Sequence, residues 1–256
     1  AYCLWGLWDA PNSPHGNNRI QYEIPNLYIE LFLADLPIPV WPWRGVQNGP
    51  NAYAIECFID ELAHAAGKDP LEFRLQSLKN NKRATRVLQT AAEKAGWGKP
   101  LPKGQGRGIA QHACFGSWVA QVVDLSVDEK TGKIKVHKVV AAVDCGPVIN
   151  PGPLVEQIEG AVTIALSTAL MEEVMFAKGG VASANFDDYP IIRMSEVPEI
   201  EVHMVKSTDK IGGIGEPGVA PLAPAVANAF FNATGVRIRR IPLTPKTVLE
   251  AMKNKA

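Results

Sequence analysis

The chain sets a single carboxylate among four glycines in Gly212-Gly213-Ile214-Gly215-Glu216-Pro217-Gly218. Glycines let a backbone approach a ligand closely, and Pro217 stiffens the chain directly after the acid. A buried loop excludes a carboxylate that has no use there. Glu216 is therefore the first candidate for a general base, the plain alternative being an acid in a solvated turn. Gly212, Gly213 and Gly215 are the candidates for close approach to a cofactor. An apolar run reading as a helix over Pro221–Thr234 follows, and its first N–H groups favour a nearby anion by about 0.3–1 kcal/mol when exposed. Arg44 stands between Trp41, Trp43 and Gly45, where a guanidinium can stack and present a planar fork to an oxyanion. A surface cation–π contact is the simpler reading of the same residues. Gln157 lies on an early turn of an apolar helix, where an uncharged amide can hydrogen-bond a cofactor or simply face water.

Other chemistry is poorly represented. Gly104-Gln105-Gly106-Arg107-Gly108 lacks the Lys-Ser/Thr ending of a phosphate loop and precedes a strand pattern, so it reads as a linker. The histidines His15, His64, His112, His137 and His203 show no metal-ligand spacing, and His137 and His203 read as solvent-facing strand positions. Cys3, Cys57, Cys114 and Cys145 form no Cys-x-x-Cys pair, which removes a zinc site and the usual iron–sulfur spacing. Cys57 and Cys145 are expected as buried thiols.

Lys plus Arg and Asp plus Glu number 26 each, so no bulk field points to nucleic acid or anionic lipid. No run of about 18 apolar residues is present, which argues against a transmembrane helix. No signal peptide is visible at the start. The sequence opens without Met, as a processed product, a split subunit or a truncated piece would, and the compartment, periplasmic or cytoplasmic, stays open.

The positioning elements follow from periodicity. A strand is possible over Leu27–Leu33. Ile55, Phe58, Ile59, Leu62 and Ala66 share one face of a helix over Asn51–Ala66. Asp69-Pro70-Leu71-Glu72 opens a second helix with a cap, a first-turn proline and an acid. Arg83–Ala95 is a third. Glycines and prolines over Gly98–Gly108 mark a boundary, giving a segment 1–98 and a domain 99–256. In the latter, Val119–Val127 and Ile134–Val143 pair as a hairpin, and a long helix runs from about Leu154 to Met171. A strand at Ile200–Val205 precedes the glycine-rich loop, and Lys246–Met252 forms a last helix. The fold class is α+β, a mostly helical first third followed by a mixed sheet-and-helix domain.

Three stretches together carry a family likeness. They are Trp43-Arg44-Gly45-Val46 with the helix that follows it, Val143-Asp144-Cys145-Gly146 through Gln157-Ile158-Glu159-Gly160, and Gly213-Ile214-Gly215-Glu216-Pro217-Gly218. From about Pro25 to Ile241 the chain resembles the C-terminal part of the molybdopterin-binding large subunit of the xanthine dehydrogenase and aldehyde oxidase family, in particular the isoquinoline 1-oxidoreductase beta-subunit type.

That resemblance implies the molybdenum hydroxylase large-subunit fold and oxidative hydroxylation of an aldehyde or N-heterocycle, with water as the oxygen source. It implies Glu216 as general base, Arg44 as an electrostatic helper to the substrate, and Gln157 with Gly212, Gly213 and Gly215 lining a molybdenum–molybdopterin cofactor, in its plain or cytosine dinucleotide form. It further implies [2Fe–2S] clusters on a partner chain. The family's Gly-x-Gly-Gln-Gly segment is not in this sequence, which implies a second molybdopterin-binding chain or segment. A non-catalytic scaffold or assembly subunit, or a truncated piece that keeps only the fold, is the alternative.

Overall fold

The computed structural model describes residues 20–28 and 42–253. Helices α1 (Asn48–Ala65), α2 (Pro70–Gln76) and α3 (Lys82–Ala95) come first. Strands β1 (Gln105–Cys114), β2 (Ser117–Val127) and β3 (Ile134–Asp144) follow, then α4 (Pro151–Leu170). Two-residue strands β4 (Phe176–Ala177) and β5 (Gly180–Val181) pair with each other, and β6 (Glu199–Met204), α5 (Leu222–Thr234) and α6 (Pro245–Lys253) complete the order.

The main sheet runs β1-β2-β3-β6, antiparallel except for the parallel β3–β6 pair. Both of its faces are covered. Val119, Val123 and Leu125 of β2 point toward Ile158, Val162 and Leu166 of α4 and Leu222, Ala225 and Ala229 of α5. The intervening Ala120 and Val122 join Val87, Leu88 and Ala91 of α3 on the opposite face. The middle of β3, residues 139–143, therefore reads as a continuous apolar run, while the edge strand β6 alternates Glu, Ile, Glu, Val and is nowhere fully buried.

Local signals explain the helix ends. The Asp69 carboxylate accepts from Leu71 and Glu72 N–H at the start of α2, and Asn81 and Asn150 side chains cap α3 and α4. Gly96 and Gly235 end α3 and α5 in the left-handed conformation.

Some expectations shift. The first helix starts at Asn48, three residues earlier than Ile55 and its partners indicate. The stretch expected as a linker at Gly104–Gly108 is largely the start of β1. Its glycines serve helix–sheet contact, because a Cβ at Gly106 or Gly108 would overlap the α5 backbone at Ala229. His137 and His203 are half-buried rather than solvent-facing, and His137 Nε2 lies 2.8 Å from Ser126 Oγ. Leu27 and Tyr28 carry no strand, and the rest of the Leu27–Leu33 expectation lies outside the described residues, as do Cys3, His15 and Trp41. Cys57 and Cys145 are buried free thiols, as is Cys114.

Candidate active site

The glycine-rich loop crosses the end of the sheet between two turns. Gly212 N–H donates to the Cys145 carbonyl (2.9 Å) just past β3, and Gly213 N–H donates to the Phe115 carbonyl (2.8 Å) in the β1–β2 turn. Ser117 Oγ donates back to the Gly213 carbonyl at 2.6 Å, and the buried Gln121 Nε2 holds the Gly218 carbonyl at 2.8 Å. A side chain at Gly212 would overlap the Gly116 carbonyl, and one at Gly218 would press on Ile158 and Ala161 of α4 at 2.9 Å. Glycine is thus required where the loop touches its supports.

An ionic cluster fixes those supports. Buried Asp144, at the end of β3, pairs with Arg83 (2.6 Å) and Arg86 (2.8 Å) of α3, and Arg86 also reaches Asp209 at 2.6 Å. Arg83 further donates to the Gly116 carbonyl at 3.2 Å and stacks on Trp118 at 4.0 Å. Burial pushes the Asp144 carboxyl up, but hydrogen bonds from Arg83 and Gly146 N–H and the Arg83 charge outweigh it and hold it below its usual range.

Arg44, Gln157, Gly215 and Glu216 come together on this loop. Arg44 Nε donates to the Gly215 carbonyl at 2.8 Å, and Nη2 donates to Gln157 Oε1 at 2.9 Å and to the Gln157 carbonyl at 3.2 Å. Gly45 N–H donates to Glu216 Oε1 at 3.0 Å. Partial burial lowers the Arg44 pKa while the Glu216 charge opposes the shift. Burial and the same carboxylate push the Cys114 thiol up, which keeps it protonated and inert. The flanking surface is partly apolar, with Trp43 40% and Phe115 41% exposed.

The backbone is unusual on both sides of the cluster. Val46 and Phe115 have φ of 52°, a left-handed value that costs on the order of 1–3 kcal/mol for a side-chain-bearing residue. The turn is pinned from within, since Asn48 N–H and Nδ2 both donate to the Gly45 carbonyl at 2.9 Å. His112 Nε2 lies 3.0 Å from Asn48 Oδ1.

Sequence reasoning did not find Asn48, His112, Ser117, Gln121 or the Arg83–Asp144 pair. Each is an isolated polar residue whose partner is distant in the chain, so no spacing advertises it.

These residues fit a large oxygen-rich anionic cofactor. The exposed edge of the loop is glycine at 213 and 215, a side chain at Gly213 would come to 3.5 Å from Phe115 Cβ, and one at Gly215 would reach 4.0 Å from Gln157 Oε1. With Gln157 Oε1 engaged by Arg44, its amide N–H₂ is left as a donor on that side. The Arg44 charge and the Gln157 amide donor, beside glycines that leave room for close approach, suit such a group.

Comparison with known proteins agrees in kind. The family model described as "Molybdopterin cofactor-binding domain" matches residues 56–198. The chain is 39% identical over 82% of its length to the B subunit of nicotinate dehydrogenase from Pseudomonas putida, covering 19% of that protein. It is 33% identical over 88% of its length to the beta subunit of isoquinoline 1-oxidoreductase from Brevundimonas diminuta, covering 29%. A protein of Gluconacetobacter polyoxogenes named membrane-bound aldehyde dehydrogenase [pyrroloquinoline-quinone] is 36% identical over 84% of the chain, which covers 30% of it. The chain thus spans under a third of the length of these relatives. The fold matches the aldehyde oxidoreductase of Desulfovibrio desulfuricans with a TM-score of 0.68 at 15% identity, over 82% of this chain and 41% of that one.

Proposed function

Because this chain belongs to the molybdopterin cofactor-binding domain family, among the molybdenum-binding subunits of the xanthine dehydrogenase type, we propose that it forms part of a molybdenum hydroxylase. The reaction is oxidative hydroxylation of an aldehyde or an N-heterocycle. A C–H bond of the substrate breaks, a C–O bond to an oxygen from water forms, and two electrons and two protons are released. When bound, the molybdenum–molybdopterin cofactor supplies the two-electron redox chemistry and the oxygen transfer.

The chain's own residues hold and move protons. Glu216 is the general base: its Oε1 is anchored by the Gly45 N–H, and Oε2 takes the proton released as the C–O bond forms. Arg44, oriented by Gly215 and Gln157, places positive charge where the substrate oxygen becomes negative. The Gln157 amide and the backbone at Gly212, Gly213 and Gly215 line the cofactor. Electrons pass to [2Fe–2S] clusters on a partner chain, and a second molybdopterin-binding chain or segment completes the cradle.

One observation carries this reading. Arg44, Gln157 and Gly215-Glu216, widely separated in sequence, meet through hydrogen bonds in one cluster. Packing alone requires no such meeting of a guanidinium, an amide and a carboxylate.

The test is the complex purified from its native host without denaturant, with metal analysis and every co-purifying chain identified. Stoichiometric molybdenum with an iron–sulfur partner is expected, and Glu216→Gln is expected to keep the metal while losing turnover by about 10²–10⁴-fold. Absence of molybdenum, or a quinone in its place, would remove the cofactor assignment. Unchanged turnover in the variant would remove Glu216 from the chemistry and favour a scaffold role for this cluster.

A further inference from the structure

The turn that presents Arg44 and the Gly45 N–H is held in a conformation its sequence does not favour. Val46, β-branched, sits at φ 52° directly after Gly45 at φ 97°. Such a residue stays left-handed only where its surroundings over-determine it. The surroundings here form one hydrogen-bonded line. The Gly45 carbonyl accepts from both the backbone N–H and Nδ2 of Asn48, each at 2.9 Å. Since Nδ2 of Asn48 donates, the atom facing His112 at 3.0 Å is its carbonyl oxygen, so His112 must donate from Nε2. Asn48 is 1% and His112 3% exposed, so water does not substitute for either bond. At the other end of the same turn, Gly45 N–H meets Glu216 Oε1 at 3.0 Å.

We infer that Asn48 and His112 are positioning residues for Glu216, locking the Gly45 turn so that its N–H fixes one carboxylate oxygen and leaves the other for proton transfer. A buried asparagine that merely starts α1 would need only its own helix, whereas this one is oriented by a histidine on β1. The inference rests on Glu216 being the base, and it adds a line of residues running from the sheet to that base.

The test uses the assembled enzyme with benzaldehyde and isoquinoline as probe substrates. Its readouts are hydrogen exchange at the Gly45 amide, molybdenum content, and kcat separately from KM. His112→Leu removes the donor. It is expected to speed Gly45 exchange and lower kcat, each roughly tenfold, the scale of one lost hydrogen bond, with KM and molybdenum held. His112→Gln, whose amide nitrogen can take the place of Nε2, is expected to recover most of both losses. Combined with Glu216→Gln, His112→Leu is expected to cost no further turnover, because it acts through that carboxylate. Should His112→Leu fail to fold, His112→Asn, polar but too short to reach Asn48, carries the same expectation. Unchanged Gly45 exchange and kcat in the donor-less variant would overturn the inference, and so would equal losses for Gln and Leu. If Glu216→Gln alone leaves turnover intact, the base assignment and with it the catalytic half of the inference fall, while the exchange result still decides whether His112 locks the turn.

Discussion

Arg44 and Gln157, 113 positions apart, are joined by one guanidinium nitrogen that reaches both the side-chain and main-chain oxygens of the glutamine. The same guanidinium reaches the Gly215 carbonyl through Nε. Its charge therefore has a fixed direction. The helix α4, the loop before α1 and the glycine-rich loop are tied together at one group, immediately beside Glu216.

That geometry sets the consequence of Arg44→Lys. A lysine keeps the charge but has no planar fork, so one ammonium cannot satisfy three acceptors arranged for Nε and Nη2. Turnover should fall by about 100-fold, as for the loss of a preorganised electrostatic donor, while thermal stability changes little. Steady-state kinetics beside a melting curve check this. A fully active lysine variant would mean that only net charge matters at this position.

Neighbouring glycines should separate folding from cofactor retention. A Cβ at Gly212 overlaps the Gly116 carbonyl, so Gly212→Ala should destabilise by about 1–3 kcal/mol through backbone displacement. A Cβ at Gly213 meets Phe115 Cβ at 3.5 Å, an ordinary contact, on the exposed edge of the loop. Gly213→Ala should therefore melt like the parent yet retain less molybdenum. Calorimetry and metal analysis on both variants decide it; equal metal content in Gly213→Ala and parent would place the cofactor away from this edge.

How far the sequence discloses the site depends on whether a residue announces its role locally. Glu216 stands out as a candidate, because a carboxylate between glycines and a proline has few structural uses. Arg44 and Gln157 are ambiguous alone and gain meaning from the family likeness, and their mutual bond is a fact of the fold. The glycines at 104–108 mislead, since glycine breaks a chain in solution but here admits α5 against β1 at Gly106 and Gly108. The helices are legible from their apolar spacing and from caps such as Asp69, whereas the Asn150 cap that starts α4 at Pro151, ahead of the expected Leu154, is not read from the sequence. Asn48 and His112 are silent, because a single buried hydrogen bond over 64 positions leaves no periodic trace.

Asp144 should govern stability in acid through α3. Its carboxyl is held below its usual value in the folded chain, so its contribution is complete above the unfolded value of about 3.9. That contribution is lost as pH falls through the lower folded value. Asp144→Asn leaves the Arg83 and Arg86 charges without their shared buried partner. A cost on the order of 2–4 kcal/mol at neutral pH follows, discounted from the fully buried case because Arg86 is partly exposed. Denaturant melts at pH 7 and pH 3 test this, with the gap between parent and variant expected to narrow at the lower pH. A constant gap would show that the pair contributes through shape alone.

His112 should add a second acid sensitivity of the same sign, one that sets in at higher pH, near 6, and comes from burial of the ring rather than from an ion pair. Burial pushes its pKa from 6.5 down to about 4 in the folded chain. Between those values the unfolded chain binds a proton that the folded chain refuses, so stability rises with pH across that window. It is complete above about 6.5, falls by roughly 1.4 kcal/mol per pH unit below that, and levels off beneath the folded value. His112→Gln has nothing to titrate, so the stability difference between parent and variant should slope between pH 4 and 6.5 and lie flat above it. The asparagine contact makes the direction firm: with its Nε2 proton given to Asn48 Oδ1 at 3.0 Å, the neutral ring already satisfies its partner, and a second proton would add a charge in a site 3% exposed. Chemical denaturation of both proteins at half-unit pH steps is the measurement. A difference that does not change with pH would mean that His112 titrates alike in the folded and unfolded chains, and burial of its ring would then not be what excludes the second proton.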